Sequence, residues 1–442
     1  MNSQRNRGRS TAVALAAMCA VAVLPGQAHA AGPGEYAFDP DAKKVQGART
    51  NVEASTLDEG VPYRSTIKPG EKLYYRVTLD DVSAAYVSAV AVPGDSGPAA
   101  YGDGLTISLR DLDDSQCSSE EADFGSGEYA RPVTAYAYRT PKEDSTTCQK
   151  GGAYDVLVER ESKEGSSPAA WDLELRFLLE PRPRSGAALP TEAPSSFPSA
   201  TPAPPAGQPR ERSGGAGYSE ATGLETGRWK DSVAPGQTRF YRVPVDWGQQ
   251  VYATARLANS TDGATEFVGN ALTLSLDNPA QGHVTEASLS YSGRPASASL
   301  RPLPPVDHSN RFASSTQGGA MRFAGWYYLS VSLSPKLEKT YGSEPIPLEL
   351  AVEVKNDAEK SPYEEGDAGV FGVTEQDKDT ARKGQNQQQA AKSGTMQVIA
   401  VAGIGTGTVL VLGLGAWTLL ARRRVAAGAP AAAGHRAPPQ GW

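Results

Sequence analysis

The fold of this chain is decided by a stretch of twelve residues, Lys68-Pro69-Gly70-Glu71-Lys72-Leu73-Tyr74-Tyr75-Arg76-Val77-Thr78-Leu79. A diverged copy follows 166 residues later, Ala234-Pro235-Gly236-Gln237-Thr238-Arg239-Phe240-Tyr241-Arg242-Val243-Pro244-Val245. Both copies place a Pro-Gly turn before an aromatic pair and an Arg-Val pair. After the turn of the first copy, apolar and polar residues alternate with the two-residue period of a β-strand. The repeat therefore indicates two copies of one β module.

Further matched positions extend the repeat and keep the same order with little drift in offset. They are Tyr63 with Trp229, Ile67 with Val233, Tyr86 with Tyr252, Leu105, Ile107 and Leu109 with Leu272, Leu274 and Leu276, Gly152, Tyr154, Val156 and Val158 with Gly325, Tyr327, Leu329 and Val331, and Leu173 and Leu175 with Leu348 and Leu350. Short alternating segments separated by turn-forming residues are typical of all-β sandwiches. The predicted fold is all-β, with two tandem jelly-roll-like β-sandwich modules at residues 61–180 and 217–356.

Composition narrows the classes of function. A length of 442 residues suits two or three domains. The formal charge is −7 and no long basic block lies in the middle of the chain, so nucleic acid is not expected as a partner. A hydrophobic fraction of 39% is low for one large α/β enzyme but sufficient for small β cores.

Residues 1–30 are predicted to be a secretory signal peptide. Three arginines precede an apolar run at residues 11–24, and Ala28-His29-Ala30 forms a small-x-small cleavage site. The run is too short to cross a bilayer comfortably. A lipoprotein signal at Cys19 is an alternative that the preceding Met18 disfavours.

A second apolar segment, residues 398–420, is predicted to be a transmembrane helix. It carries no charge and would be roughly 34 Å long. The arginines at 422–424 follow it, which places the tail at residues 421–442 in the cytoplasm. The expected localisation is the cell membrane, with one span and an extracellular ectodomain. Gly403 and Gly407 form a small-x-x-x-small pair that would permit a homodimer.

Three segments outside the modules are predicted to be irregular. Residues 31–60 are expected to form an N-terminal arm, the proline-rich residues 181–216 an extended linker, and residues 357–397 a polar stalk.

Cys117 and Cys148 are the only cysteines outside the signal peptide. An even pair in an exported protein predicts a disulfide. The alternative, a reactive or metal-binding pair, has no histidine nearby in the sequence.

The first module carries two short motifs of a known family. The turn and aromatic pair at residues 68–75, and Gly152-Ala153-Tyr154-Asp155-Val156-Leu157-Val158, resemble the bacterial pre-peptidase C-terminal β-sandwich module. The resemblance implies accessory roles in secretion, stability or substrate contact. Here no peptidase precedes the modules, which make up the whole ectodomain. The layout is similar to that of exported, membrane-anchored proteins of high-GC bacteria.

Catalytic motifs are not supported by the residues available. Gly94-Asp95-Ser96-Gly97-Pro98 resembles the nucleophile motif of chymotrypsin-like peptidases, but the only histidine upstream is His29 in the signal peptide. We interpret the motif as a loop. His283 and His308 lie in polar contexts without metal-ligand spacing and are predicted to be solvated loop residues. No catalytic residue, cofactor or metal site is expected.

An acidic turn leaves one alternative open. Asp111, Asp113 and Asp114 offer the oxygen ligands that calcium prefers, but the glycine and distal glutamate of an EF-hand loop are missing. A solvated turn is the simpler interpretation.

Trp326 and Tyr328 are the predicted ligand-binding residues. If Tyr327 faces the core, its two neighbours face outward, where aromatic rings can stack on sugars or contact a protein. The alternative is that a loop or neighbouring strand covers them.

The predicted function is that of a non-enzymatic cell-envelope binding or scaffolding protein. Its expected partner is a cell-wall component or an envelope protein. Two alternatives remain, a carboxylate-dependent cell-wall hydrolase and an accessory subunit of an export or wall-processing complex.

Overall fold

The computed structural model describes residues 35–392 except 95–98, 128, 142–144, 188, 261–264 and 365–367. The predicted signal peptide, the segment 398–420, the tail, Gly403 and Gly407 lie outside the described residues, as do residues 95–98 of the loop motif. Within the described ranges no helix is both long and apolar enough to cross a bilayer.

The first half of the fold contributes ten strands: β1 (Lys43–Lys44), β2 (Ser55–Thr56), β3 (Pro62–Ile67), β4 (Lys72–Leu79), β5 (Ala85–Pro93), β6 (Gly104–Arg110), β7 (Gln116–Asp123), β8 (Val133–Arg139), β9 (Gly152–Glu161) and β10 (Trp171–Leu179). The second half contributes ten more: β11 (Arg210–Glu211), β12 (Thr222–Gly223), β13 (Gly227–Val233), β14 (Thr238–Val245), β15 (Gln250–Leu257), β16 (Val268–Asp277), β17 (His283–Tyr291), β18 (Ala296–Ser299), β19 (Gly325–Leu333) and β20 (Ile346–Lys355).

The helices in the described residues are short. They are α1 (Thr316–Ala320), α2 (Lys336–Tyr341) and α3 (Glu375–Lys383), with 3₁₀ turns at Asn51–Glu53, Gly125–Gly127, His308–Phe312 and Gly369–Phe371. Residues 387–392, the last that the structure describes, are also helical.

Each half forms a sandwich-like pair of five-stranded sheets, which confirms the predicted β-sandwich class. In the first sandwich the strand orders are β1-β3-β10-β5-β8 and β2-β4-β9-β6-β7. In the second sandwich they are β11-β13-β20-β15-β18 and β12-β14-β19-β16-β17. Position by position the two orders are the same, so the repeat in sequence is matched by a repeat in topology.

Residues 68–79 form the turn before β4 and the strand itself. Gly70 has φ +68°, a left-handed conformation that glycine adopts without strain. Along β4, Leu73, Tyr75, Val77 and Leu79 are buried in the first core, and the residues between them face away from it. Alternation along the strand thus decides which side chains build the sandwich.

The predicted arm and linker both take part in the sheets. β1 and β2, from the arm, pair in parallel with β3 and β4, and β11, from the linker, pairs with β13. Tyr36 is also buried, because it packs on Phe240 of the second sandwich at 5.7 Å between ring centroids. Short apolar anchors fix segments whose overall composition is polar.

Residues 357–392 do not form the free stalk that was predicted. Tyr363 and Phe371 are each 1% exposed and belong to the core that includes the second sandwich. α3 begins at a capping box made by Thr374 and Asp377. At the other end of α3, the Arg212 guanidinium donates one hydrogen bond to the Arg382 carbonyl and one to the Lys383 carbonyl, each at 3.1 Å.

The two sandwiches pack directly against each other. Nearly all of β5 is buried, because its inward residues fill the first core and its outward residues meet the second sandwich. Tyr86 packs edge-on against Phe323 at 4.7 Å. Across the joint, the Tyr129 hydroxyl donates to Thr273 Oγ1 at 2.9 Å and Thr134 Oγ1 donates to the Gln281 carbonyl at 2.6 Å. The joint is therefore a continuous packed interface.

The predicted disulfide is confirmed. Cys117 in β7 is bonded to Cys148, with the two Cα atoms 5.7 Å apart. It ties an edge strand of the first sandwich to the loop that precedes β9.

Gly282 of the second sandwich lies close against Tyr136 of the first. A Cβ atom there would lie 2.3 Å from Tyr136 Cδ1, so Gly282→Ala forces the tyrosine ring to move. We expect the free energy of unfolding to fall by about 1–3 kcal/mol, as for other overpacked interiors. Urea unfolding followed by tryptophan fluorescence measures the change.

Gly269→Ala, in β16, is the matched control. Its Cβ would meet only Phe267, at 3.8 Å, which is ordinary contact. That variant should be neutral or slightly stabilising because alanine restricts the unfolded chain. Equal unfolding curves for the two variants would contradict the tight joint.

Candidate functional site

Trp326 and Tyr328 face away from the core of the second sandwich but do not form an open surface. Tyr328 is 6% exposed and packs on Tyr218 at 5.0 Å. Trp326 Nε1 donates to Asp377 of α3 at 2.9 Å, and the Arg242 guanidinium lies 4.1 Å from its ring centre. The first sandwich and α3 cover most of this face, so Tyr328 is buried and Trp326 is only partly exposed.

The more open candidate is a cleft at the joint of the sandwiches, which we call the inter-module cleft. Two cavities of about 200 and 640 Å³ lie there and share Glu121, His283 and Glu286. The larger volume falls in the range of small-molecule sites, roughly 300–1,000 Å³. The lining comes mainly from β7 of the first sandwich and β17 of the second, both of which are outermost strands of their sheets.

A β-hairpin positions the histidine of the cleft. Asp277 ends β16, His283 begins β17, and the two residues are register partners. Between them, Asn278 Oδ1 accepts the backbone N–H groups of Ala280 and Gly282 at 3.0 and 2.9 Å. His283 is therefore a strand residue in a cleft, not the solvated loop residue that the sequence predicted.

Asp277 holds two polar side chains at once. Its Oδ2 accepts the Tyr218 hydroxyl at 2.7 Å, and its Oδ1 lies 3.3 Å from His283 Nδ1. Burial acts to lower the pKa of His283, but the hydrogen bond and charge of Asp277, with Glu286 and Glu120, outweigh it and raise the pKa. The imidazole thus favours its cationic form.

Glu120 faces the same cleft from the first sandwich. Burial raises the pKa of its carboxyl to about 7, although the Tyr136 backbone N–H, donated at 3.0 Å, acts in the opposite direction. Near neutral pH this group is present in both protonation states, as a general acid or base requires.

Arg131 lines the cleft and forms an ion pair across the joint. Its guanidinium donates to Glu286 of the second sandwich at 3.3 Å and to the Phe124 carbonyl at 3.0 Å. The arginine side chain is nearly buried, whereas Glu286 is 44% exposed. The contact links the sandwiches and leaves the carboxylate accessible from the cleft.

A second polar cluster, around Glu180 at the joint, is buried and not accessible to solvent. The Glu180 carboxylate accepts from Tyr86 at 2.7 Å and from Arg311 and Tyr363 at 2.5 Å each. Burial acts to raise the pKa of Glu180, but Arg311 and the Tyr363 hydroxyl lower it overall. This cluster joins the first sandwich, the second sandwich and the segment after β20.

His308 lies beside that carboxylate, with Nε2 3.7 Å from Glu180 Oε1. Burial, followed by the charge of Arg311, lowers its pKa to about 4. Neither ring nitrogen has a hydrogen-bond partner among the described residues. His308 is thus a buried neutral histidine, which again differs from the predicted solvated loop residue.

The other sequence candidates are structural in the described residues. Asp111 Oδ1 accepts the backbone N–H groups of Asp113 and Ser115, and Asp114 pairs with Arg110 at 3.0 Å. Over the described part of the chain, no three His, Cys, Asp or Glu side chains are arranged to hold a metal ion. In the same part of the chain, His283 makes no hydrogen bond to a serine, threonine or cysteine side chain, so no histidine-activated nucleophile is formed.

Sequence reasoning missed the pair Asp277 and His283 as well as Glu120 and Glu121. The signal for the first pair was local, because Asn278 and Pro279 between two alternating segments favour a hairpin turn. The glutamates come from the other sandwich, so only the docking of the two halves brings them near.

No family model matches the chain, and no curated protein matches it significantly. Among solved structures, the chain is similar to part of the complex of plant peptide RALF23 with FER and LLG2, with 8% identity over 71% of this chain and 95% of that one and a TM-score of 0.20. It is also similar to the CBM22-1-CBM22-2 tandem domain of Paenibacillus barcinonensis Xyn10C, with 10% identity over 68% and 92% and a TM-score of 0.18. Likenesses this low carry no argument about function.

Proposed function

We propose that this chain is a non-enzymatic binding or scaffolding protein of the cell envelope, with its ectodomain displayed outside the membrane by a C-terminal anchor. The observation that carries the proposal is the inter-module cleft, a polar cavity built where two sandwiches dock. Such joints are frequent positions for ligand sites. Its histidine is held by Asp277 and activates no hydroxyl or thiol among the described side chains.

The finer architecture belongs to the same proposal. Each half is a jelly-roll-like module of the pre-peptidase C-terminal type, and the alternating orders β3-β10-β5-β8 and β4-β9-β6-β7 support the jelly roll. The partner is a cell-wall component or an envelope protein. The cleft is acidic, which disfavours nucleic acid. The signal peptide, the span at residues 398–420 and a homodimer through Gly403 and Gly407 rest on the sequence alone.

A pull-down tests the proposal. The purified full-length chain is exposed to isolated cell wall and, separately, to solubilised envelope proteins. We expect saturable retention of one of them, weakened in Gly282→Ala, which disturbs the joint, and unchanged in Gly269→Ala. Absence of retention from both sources would contradict a binding function.

A carboxylate-dependent cell-wall hydrolase is the second candidate, and Glu120 is the observation that favours it. A carboxyl group with a pKa of about 7 beside the carboxylates Glu121 and Glu286 provides the protonated and ionised pair that glycoside hydrolysis needs. Release of soluble sugars from wall material, lost in Glu120→Gln, would support the hydrolase against the binding protein. Intact wall material after incubation would count against it.

A further inference from the structure

The smaller cavity of the inter-module cleft contains a polar group that the fold does not use. Ser330 lies on the face of β19 opposite the buried Leu329 and Val331, and it lines this cavity. The residue is 8% exposed, and its Oγ makes no hydrogen bond to a described residue. Its hydroxyl, which can donate once and accept twice, is therefore available to a group that enters the cavity.

The charges around this cavity are unbalanced. Four carboxylates line it, from Glu121, Asp123, Asp277 and Glu286, against two basic side chains, Arg131 and His283. Glu121 makes no hydrogen bond to a described residue, and Asp123 accepts only the backbone N–H of Gly125. The imidazole of His283 already responds to this field, because Asp277, Glu286 and Glu120 raise its pKa despite burial. A cation entering the cavity therefore meets uncompensated acceptors.

We propose that the inter-module cleft binds a ligand through a primary ammonium group. The ammonium lies in the 200 Å³ cavity, donates to Ser330 Oγ and is charge-paired by Glu121, while the rest of the ligand occupies the 640 Å³ cavity. An ammonium group has three donors and no acceptor, which suits a cavity rich in oxygen acceptors. The inference deepens the proposed function, on which it rests, by naming the chemistry of the ligand.

The two cavities of the inter-module cleft are adjacent, as a ligand that occupies both would require. Glu121, His283 and Glu286 line both cavities, so a ligand can extend from one into the other without crossing the core. In the larger cavity Arg301 is exposed, and Gln317 donates to Thr285 at 3.2 Å. These side chains supply hydrogen bonds to the uncharged part of the ligand.

Two sources could present the ammonium group, an amino sugar or a lysine side chain. Isothermal titration calorimetry of the full-length chain at pH 8 distinguishes them with a glucosamine trimer and the peptide Ala-Lys-Ala. Each probe is compared with its N-acetylated form, which keeps the shape and removes the charge. We expect at least one amine to bind about tenfold or more tightly than its acetylated control, a factor that corresponds to one charged contact.

Substitutions in the inter-module cleft test whether the preference for amines arises there. Glu121→Gln should weaken amine binding about tenfold, and Ser330→Ala by a smaller factor. Glu338→Gln, an exposed glutamate of α2, should leave it unchanged. Because Glu121 is exposed, its substitution is not expected to disturb folding.

The pH dependence has a definite sign. Between pH 6 and pH 8 the carboxyl of Glu120, whose pKa is about 7, loses its proton, which makes the cleft more negative beside Glu121, Asp123, Asp277, Glu286, Arg131 and Arg301. Deprotonation of His283, whose pKa is raised, changes the charge in the same direction. Affinity for Ala-Lys-Ala should therefore rise with pH. Equal affinity for amine and acetylated probes, no binding of either, or an unchanged amine affinity in Glu121→Gln would overturn the inference. The pull-down result for wall and envelope proteins would be unaffected by that failure.

Discussion

Replacing Glu180 with alanine should lower the free energy of unfolding by about 3–5 kcal/mol, the usual cost of removing one partner from a buried ion pair. The side chain of Glu180 is 2% exposed and that of Arg311 8%. Without the carboxylate, Arg311 retains a charge in a buried site, and the hydroxyls of Tyr86 and Tyr363 lose their acceptor. Since these partners come from both sandwiches, the joint should open before either core unfolds.

Urea unfolding with two probes measures this effect: tryptophan fluorescence, to which Trp247 contributes from its place 5.7 Å from Tyr363, and far-ultraviolet circular dichroism for the sheets. Glu180→Gln keeps an acceptor and should cost less than Glu180→Ala. Glu375→Ala is the control, because Glu375 is 83% exposed and its contact with Lys378 is a surface ion pair. Its effect should stay below about 1 kcal/mol. If the control and Glu180→Ala unfold at the same urea concentration, the cluster does not hold the joint.

Removing the disulfide should have the second largest effect. The double variant Cys117→Ala, Cys148→Ala opens a loop of 31 residues. The loop-entropy relation gives a loss of about 3–4 kcal/mol from the free energy of unfolding. The loss should be confined to the first sandwich because no described residue of the second sandwich is cross-linked.

Thermal unfolding of the double variant and of the reduced wild-type chain measures the contribution of the disulfide to stability. Both should show an earlier transition for the first sandwich, and the two curves should coincide. An unchanged midpoint in the double variant would show that β7 is held by its neighbours alone. The same variant should bind amines less well, because β7 carries Glu120 and Glu121.

Strand positions could be predicted because alternation along a strand is a local property. The docking of the sandwiches also left a local signal, which the prediction did not use. Residues 84–92 are almost continuously apolar, as expected for a strand buried on both faces. The equivalent β15 carries Thr254 and Arg256 on its outward face and stays partly exposed. The difference between the copies, more than the repeat, indicated where they meet.

The polar segment after β20 illustrates the opposite error. Its composition suggested a free stalk, whereas Tyr363 and Phe371 anchor it. Two apolar side chains in a polar segment are enough to fix it when a core offers space. In the inter-module cleft, the pairing of Asp277 with His283 could be predicted from the hairpin sequence. Their proximity to Glu120 could not, because it depends on how two halves that are distant in sequence pack together.

The docked helix α3 has a mechanical consequence. Tension applied to the chain beyond residue 392 reaches α3 before it reaches any strand of the sandwiches. The polar contacts that hold α3 include the bond from Trp326 to Asp377 and the bonds from Arg212 to its last carbonyls. By comparison, β14 and β19 share eight paired positions. Under load the helix should detach first, which lengthens the segment after β20 and uncovers Trp326 while both sandwiches remain intact.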